Sequence, residues 1–400
     1  MQPPSNTAGR SRVRVFGAAC IAIATACLLV GMLEADITDR YAASRDFIEY
    51  WAAGQLLIQH ANPYDADATL RIQQAAGMLE NDPQITLSPP AASCLLLPLG
   101  LVSPKTGLVI WALALIASLL ISVWLIWVLN GRPDNAFHLC GYLFAPAVAC
   151  LMLGQIGTFL LLGVVLFLYL HTRWPYLAGV ALLPCVWKPH LFLPFFMVLF
   201  LWSLDRRQLR ILAGFLGAVI AASAITLHFD PQVWSQYFRM VADTSGRLHG
   251  YIPTLSVTLR FLIDPRALWL QYIPEIAVSC WAVWYFFTRR HRWNWIEQGS
   301  WLFLASAACT PYSWFTDEAI LLPAVLNGVY RAIELRRSLW PIAVIGLAAL
   351  VEVCALGHIA STHYLWTVPA WLGWYLYATW NREQAPVPQE RHDVEVTWSR

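Results

Sequence analysis

Residues 107–129 read GLVIWALALIASLLISVWLIWVL, 23 positions without Asp, Glu, Lys or Arg. At ~1.5 Å rise per residue such a run crosses a hydrocarbon core of about 30 Å as a helix. In lipid each backbone N–H needs a partner within the protein, so a spanning segment is a helix or part of a closed barrel. The period-2 alternation of a barrel strand is absent, which leaves the helix. Val15–Leu33 is a second uncharged run, of 19 residues, and another 38 separate Asp134 from Arg173, room for two helices and a break.

The rest of the chain agrees. Hydrophobic residues make up 58% and charged residues 12% of the 400, about half the charge of a soluble domain. Lipid is the expected solvent and the fold class an all-α polytopic membrane protein. A net charge of +2 is too small to suggest nucleic acid as a partner. The nine cysteines lie in apolar segments with no CxxC pair, so they read as buried small hydrophobes. Val15–Leu33 exceeds the h-region of a signal peptide and no clear A-x-A site follows, so it reads as a retained first span.

Arginine clusters set the expected orientation. Arg10, Arg12 and Arg14 precede the first span; Arg206, Arg207 and Arg210, then Arg289, Arg290 and Arg292, then Arg331, Arg336 and Arg337 follow; the tail carries Arg382, Arg391 and Arg400. The positive-inside rule puts all five groups in the cytoplasm. An even number of crossings fits between successive groups if residues 91–103, bracketed by Pro89-Pro90 and Pro104, form a re-entrant or interfacial piece. The total is about twelve crossings. Residues 1–14 and 381–400 become cytoplasmic tails and 15–380 a single transmembrane domain, with long outer loops at about 35–87 and about 229–267. Lys105 and the arginines at 239, 247, 260 and 266 run against this orientation; they are dispersed, whereas the inner ones cluster at span ends.

This topology gathers scattered polar groups on the outer face. Asp46, Glu49 and Tyr50 have helical i, i+3, i+4 spacing, on a segment expected to lie in the interface plane with an apolar side. With Ser44 as N-cap, Asp46 falls in the first turn, where a carboxylate either completes a cap or serves a site. Lys188 interrupts an apolar stretch; a charge there costs about 2.5–3.5 kcal/mol and calls for an anionic partner, of which a phosphate is one, unless the side chain snorkels to the interface. His190, beside Pro189, reads as a structural histidine. Gly154-Gln155 is either a kink or a polar tip that meets a ligand. Asp317 and Glu318 read as carboxylates at a helix start.

These segments resemble glycosyltransferase family 87. Asp46-Phe47-x-x-Tyr50-Trp51-Ala52-Ala53-Gly54 with Asn62-Pro63-Tyr64-Asp65 is similar to the family's first-loop signature. Pro89-Pro90, Gly154-Gln155, Gly179 through Lys188-Pro189, and Thr310-Pro311-Tyr312 with Asp317 follow in the family's order, over roughly residues 40–330. Two positions depart from the pattern: Ser88 stands where a Tyr usually precedes the Pro-Pro pair, and Gly157-Thr158 where an Asn often follows Gly-Gln.

The resemblance implies a GT-C-like bundle in the bacterial inner (plasma) membrane; the arginine clusters put both termini in the cytoplasm. It implies inverting transfer of a hexose or pentose, mannose foremost, from a polyprenyl-phosphate donor to a lipid or glycan hydroxyl outside the membrane. Asp46 is then the expected catalytic base. Lys188, His190 and Gln155 are expected at the donor phosphate, and Tyr50, Trp51, Asn62, Tyr64 and Asp317 around sugar and acceptor. The polyprenyl-phosphate sugar is a co-substrate; no separate cofactor and no metal is expected. The other classes are a transporter or lipid-carrier flippase, which should show paired halves with matching interrupted helices, and a structural subunit, which leaves Lys188 unexplained.

Overall fold

The computed structural model describes residues 38–245, 251–356, 358 and 360–380. The span expected at 15–33 and both tails lie outside them. The described residues form seventeen α-helices joined by turns and 3-10 segments, with no strand among them. In chain order these are α1 (Asp39–Ala43), α2 (Phe47–Ile58), α3 (Ala66–Ala75), α4 (Pro90–Ser93), α5 (Pro104–Leu129), α6 (Ala145–Leu153), α7 (Gly157–Leu170), α8 (Pro175–Val180) and α9 (Leu193–Asp205). Then come α10 (Leu209–Phe229), α11 (Val233–Ser245), α12 (Leu255–Ile263), α13 (Ile273–Arg289), α14 (Trp295–Cys309), α15 (Leu322–Glu334), α16 (Trp340–Cys354) and α17 (Thr367–Thr379).

Among the described residues two helices, α5 and α10, are long and apolar enough to cross a membrane. Helix α5 starts where the sequence favours a start: the Ser103 hydroxyl accepts from the Thr106 N–H and Pro104 takes the first helical position, where no N–H is needed. It stays apolar all round, with Leu115, Leu119 and Val123 buried while Ile110, Leu113, Ile121 and Trp124 are exposed. A helix of that kind suits lipid rather than water.

Elsewhere the apolar stretches are interrupted at the expected points. Gly154 ends α6 with φ +79°, a left-handed conformation that glycine adopts without penalty. Lys188 sits between two 3-10 turns that separate α8 from α9. Residues 91–103 hold only the end of α4 and the 3-10 turns Cys94–Leu96 and Leu99–Leu101. No single helix runs through them.

Three expectations change. The 47–58 helix does not have a single apolar side: Phe47, Ile48, Tyr50, Trp51, Ala52, Ala53, Gly54, Leu56 and Leu57 are all buried. The cause is a close approach of backbones. A methyl group on Gly54 would overlap the Leu96 carbonyl oxygen, and one on Gly100 that of Gly54, so only glycine lets α2 pack against the 94–101 turns. Second, Ser44 does not cap α2; its hydroxyl donates to the Tyr41 carbonyl at 2.8 Å and closes α1. Asp46 occupies the N-cap position itself, and its side chain makes no cap bond. Third, the cysteines are not uniformly buried. Cys150 and Cys185 are, Cys94 and Cys309 are intermediate, and Cys140, Cys280 and Cys354 are exposed; Cys20 and Cys27 lie outside the described residues.

Gly54→Ala is expected to cost about 1–3 kcal/mol through this overlap and to lower the melting temperature of the purified protein. Gly217→Ala, with no neighbour within 4 Å, is expected to leave it unchanged or slightly raised. Equal melting temperatures for the two variants would contradict the packing.

Candidate functional site

The site is assembled where three helix interruptions meet the start of α2. At the first, the Asp46 carboxylate is free of capping duty and accepts a hydrogen bond from Gln155 Nε2 at 2.8 Å. Gln155 in turn accepts from the Tyr50 hydroxyl at 2.9 Å. The Gly154 turn that positions Gln155 is held by Trp111 Nε1, which donates to the Gly154 carbonyl at 2.7 Å, while Tyr50 stacks on the Trp111 ring at 5.3 Å. The Arg45 guanidinium donates to the Met152 carbonyl at 3.0 Å, tying the same loop to the end of α6. The sequence motif and the break, more than 100 residues apart, thus form one hydrogen-bonded unit.

The second interruption supplies a cation. Lys188 Nζ lies 2.7 Å from both Asp317 oxygens, and Asp317 is 1% exposed. Asp317 Oδ2 also accepts from the Trp314 N–H at 2.9 Å, capping the turn that leads into α15. The helix-start role expected for Asp317 and a site role are therefore carried by one carboxylate. An ammonium has three N–H donors; two go to Asp317 and the third remains. The Tyr312 ring lies 5.5 Å from Nζ, close enough for a cation–π contribution.

These groups surround a cavity of about 260 Å³. Glu49, Tyr50, Gln155, Lys188, His190 and Tyr312 provide its polar lining; Leu87, Ile156, Trp187, Met240, Val241 and Pro311 provide an apolar wall. His190 Nε2 lies 2.9 Å from the Tyr312 carbonyl. Since a carbonyl only accepts, that nitrogen carries the proton, and only Nδ1 is left for a ligand.

Burial raises the proton affinity of Asp46 and Glu49, the two carboxylates at the head of α2. Asp46 is shifted above the ordinary aspartate range by desolvation, partly offset by the Gln155 bond and by Lys188 and Arg45. Glu49 is pushed up to about 7, again by desolvation first, with the nearby Tyr50 hydroxyl and Lys188 opposing and the charges of Asp46 and Asp317 adding.

Not every expected residue reaches the cavity. Trp51 spends its Nε1–H on the Val102 carbonyl at 3.0 Å. Asn62 Oδ1 accepts from the Tyr64 N–H at 2.9 Å in a local turn, and the Tyr64 hydroxyl donates to the Ser88 carbonyl at 2.8 Å. None of the three lines the cavity. Glu318 points elsewhere, accepting from Trp371 Nε1 at 2.9 Å and from the Thr367 hydroxyl. Conversely Glu49, though on the predicted face, was assigned no role by its spacing, and Tyr237, Gln271 and Tyr272 come from a long polar segment with nothing to mark them. Ser88, one of the two departures from the family pattern, is on the cavity wall.

A model of glycosyltransferase family 87 matches residues 87–311. The chain belongs to this family. No curated protein and no solved structure matches it. The protein is thus a membrane glycosyltransferase, with an all-helical fold over the described residues. The family match includes Gln155, Lys188 and His190. Asp46, Glu49 and Tyr50 precede it and Asp317 follows it, joined to the matched segment by the contacts above.

Removing the Lys188 ammonium leaves a buried carboxylate uncompensated, a loss of about 3–5 kcal/mol for a buried pair. Lys188→Ala is expected to lower the melting temperature sharply, and Lys188→Ala with Asp317→Asn to recover most of the loss. A double variant no more stable than the single one would contradict the pairing.

Proposed function

We propose that this enzyme moves a sugar, mannose foremost, from a polyprenyl-phosphate carrier to a hydroxyl of a lipid or glycan acceptor, with inversion at the anomeric carbon. In this reading residues 15–380 form one GT-C-like domain of about twelve crossings in the bacterial inner membrane. Both termini are cytoplasmic and the cavity opens outward. The observation that carries the reading is the shared cavity: the Glu49 carboxylate and the Lys188 ammonium face one space, and Asp46 is hydrogen-bonded to Gln155 in its wall, although these segments are far apart in sequence.

The chemistry follows from the arrangement. An inverting displacement needs a carboxylate to take the acceptor's proton, typically worth about 10²–10⁴-fold. The carboxylates at the head of α2, Asp46 foremost, are assigned that part. The departing polyprenyl phosphate gains negative charge, and a fixed donor in a water-poor site stabilises such charge more than water does. The third N–H of Lys188 is assigned to it, with Gln155 and His190 Nδ1 as neighbouring polar groups. The apolar wall from Leu87 to Val241 gives the first isoprene units a surface. Tyr50 bounds the sugar space by its edge, because its face is spent on Trp111. Asp317 acts by holding Lys188. The scheme calls for no metal or cofactor.

Purified protein is to be incubated with radiolabelled polyprenyl-phosphate mannose, arabinose or glucose and membrane lipid extract. Transfer of label to a lipid or glycan product is expected, and Asp46→Asn should abolish it while the protein remains folded. Lys188→Ala/Asp317→Asn is expected to raise the donor KM. Full activity in Asp46→Asn would remove Asp46 from the site, and no transfer from any of the three donors would sink the donor assignment.

A further inference from the structure

A second cavity lies at the opposite end of α13 from the candidate site. Gln271 and Tyr272, just before α13, line the cavity described above. Thr288 and Arg289, at the other end of the helix, line one of about 830 Å³ between α13 and α14. The stretch from Tyr272 to Thr288 spans about 24 Å of helix at ~1.5 Å per residue, so the two are separate places for a ligand.

The wall of this second cavity is aromatic and cationic. Along α13, Trp281 stacks on Tyr285 at 5.0 Å, and the Arg289 guanidinium lies 5.3 Å from the Tyr285 ring centre. Spacing of i, i+4, i+8 puts the three in one column. The turn after α13 adds His291 and Arg292, and α14 adds Gln298 and Trp301. Gln298 Oε1 accepts from the Asn294 N–H at 2.7 Å, so toward a ligand this side chain only donates. Among the described residues no Asp or Glu lines the cavity. The carboxylate beside this turn, Asp205, is engaged by Arg206 at 3.6 Å and Arg290 at 3.8 Å. Arg206 Nη2 also donates to the Arg290 and His291 carbonyls at 2.8 and 3.3 Å, which fixes the turn that carries Arg289 and Arg292.

We propose that this cavity holds the phosphate headgroup of an anionic glycerophospholipid, with its acyl chains laid along α13. Three observations point the same way. The wall presents guanidinium groups and no carboxylate, and the planar fork of a guanidinium matches phosphate oxygens. The volume falls in the range of about 300–1,000 Å³ that small-molecule sites occupy, far more than a bare phosphate fills. Finally, the cavity continues into an apolar surface: Trp284 is on its wall and is also 62% exposed. With Ile276, Cys280 and Phe287, all exposed, it forms a stripe on one face of α13. A soluble anion makes no use of that stripe, whereas a charged lipid uses both ends. Tryptophan rings next to arginines are at home where hydrocarbon meets headgroups, and basic cavities between membrane helices take such heads. Bound there, the lipid joins α13 to α14 at the end remote from the candidate site. The proposal does not depend on which donor or acceptor the enzyme uses.

The test uses the purified full-length protein, delipidated in mild detergent. It is titrated with dioctanoyl phosphatidylglycerol, dioctanoyl phosphatidylcholine, glycerol phosphate or inorganic phosphate. Native mass spectrometry counts bound molecules, and the melting temperature is followed in parallel. Saturable binding of phosphatidylglycerol with a raised melting temperature is expected, and much weaker binding of the other three. Arg289→Gln/Arg292→Gln should weaken phosphatidylglycerol binding about tenfold or more, the effect of losing a charge-assisted hydrogen bond. Trp284→Ala should weaken it several-fold, whereas Arg210→Gln, an exposed arginine off the cavity wall, should bind like the wild type. Lipid-free melting temperatures near the wild type show that the variants are folded; if the double variant is not, Arg292→Gln alone, at an exposed position, is read in the same way. Phosphatidylcholine bound as tightly as phosphatidylglycerol, or wild-type affinity in the arginine variants, would overturn the proposal. Inorganic phosphate bound as tightly as phosphatidylglycerol would make this a site for soluble anions and overturn the lipid assignment.

Discussion

Two opposite charges, brought together from positions 129 residues apart, organise this protein: the Lys188 ammonium and the Asp317 carboxylate. Neither is tolerable alone among apolar helices, since an unpaired charge at such depth costs several kcal/mol. Each sits at an interruption, one between α8 and α9 and the other before α15, so their pairing brings two breaks to the same place. The third break, at Gly154, is fixed beside them by close packing: a methyl on Gly157 would overlap the Thr316 carbonyl oxygen. Interrupted helices expose backbone polar groups, which in a membrane protein is acceptable only where they line a cavity or are bonded internally. Here both hold, and the cavity is the outcome.

The pair also sets what the cavity can do. Asp317 uses both of its oxygens on Lys188 and leaves the ammonium with one donor. The site then offers a single N–H of a cation on one side and the α2 carboxylates on the other, with the neutral Gln155 side chain bonded to Asp46 between them. Charge separation of that kind favours a reaction in which a proton is taken at one end and negative charge develops at the other. Glycosyl transfer from a lipid phosphate is such a reaction.

Much of this was legible in the sequence, for identifiable reasons. Uncharged runs announce helices in lipid because the backbone has no other option there, and Gly154 and Lys188 announce interruptions because glycine and a charge are each costly inside such a helix. The spans and arginine clusters put Asp46 and Gln155 on one face, and the resemblance put them in one site. What the sequence hid is what depends on partners. The burial of α2 on every side follows from Gly54 meeting Gly100, a contact that no periodicity displays. The anion for Lys188 proved to be Asp317, which by position read as a helix-start carboxylate. The roles of Trp51, Asn62 and Tyr64 are local bonds to Val102, the Tyr64 N–H and Ser88, indistinguishable in sequence from ligand contacts. Glu49 was visible by spacing, but its place on the cavity wall was not.

The central claim is that the α2 loop and the Lys188 break open to one compartment outside the cell membrane. Ser44 and Pro189, both exposed, stand next to these two segments. Single cysteines placed at each, in a background with the nine native cysteines replaced, are to be treated in intact cells with a maleimide that cannot cross the membrane. The account predicts that both are labelled without permeabilisation. Labelling of either position only after the membrane is opened would contradict it.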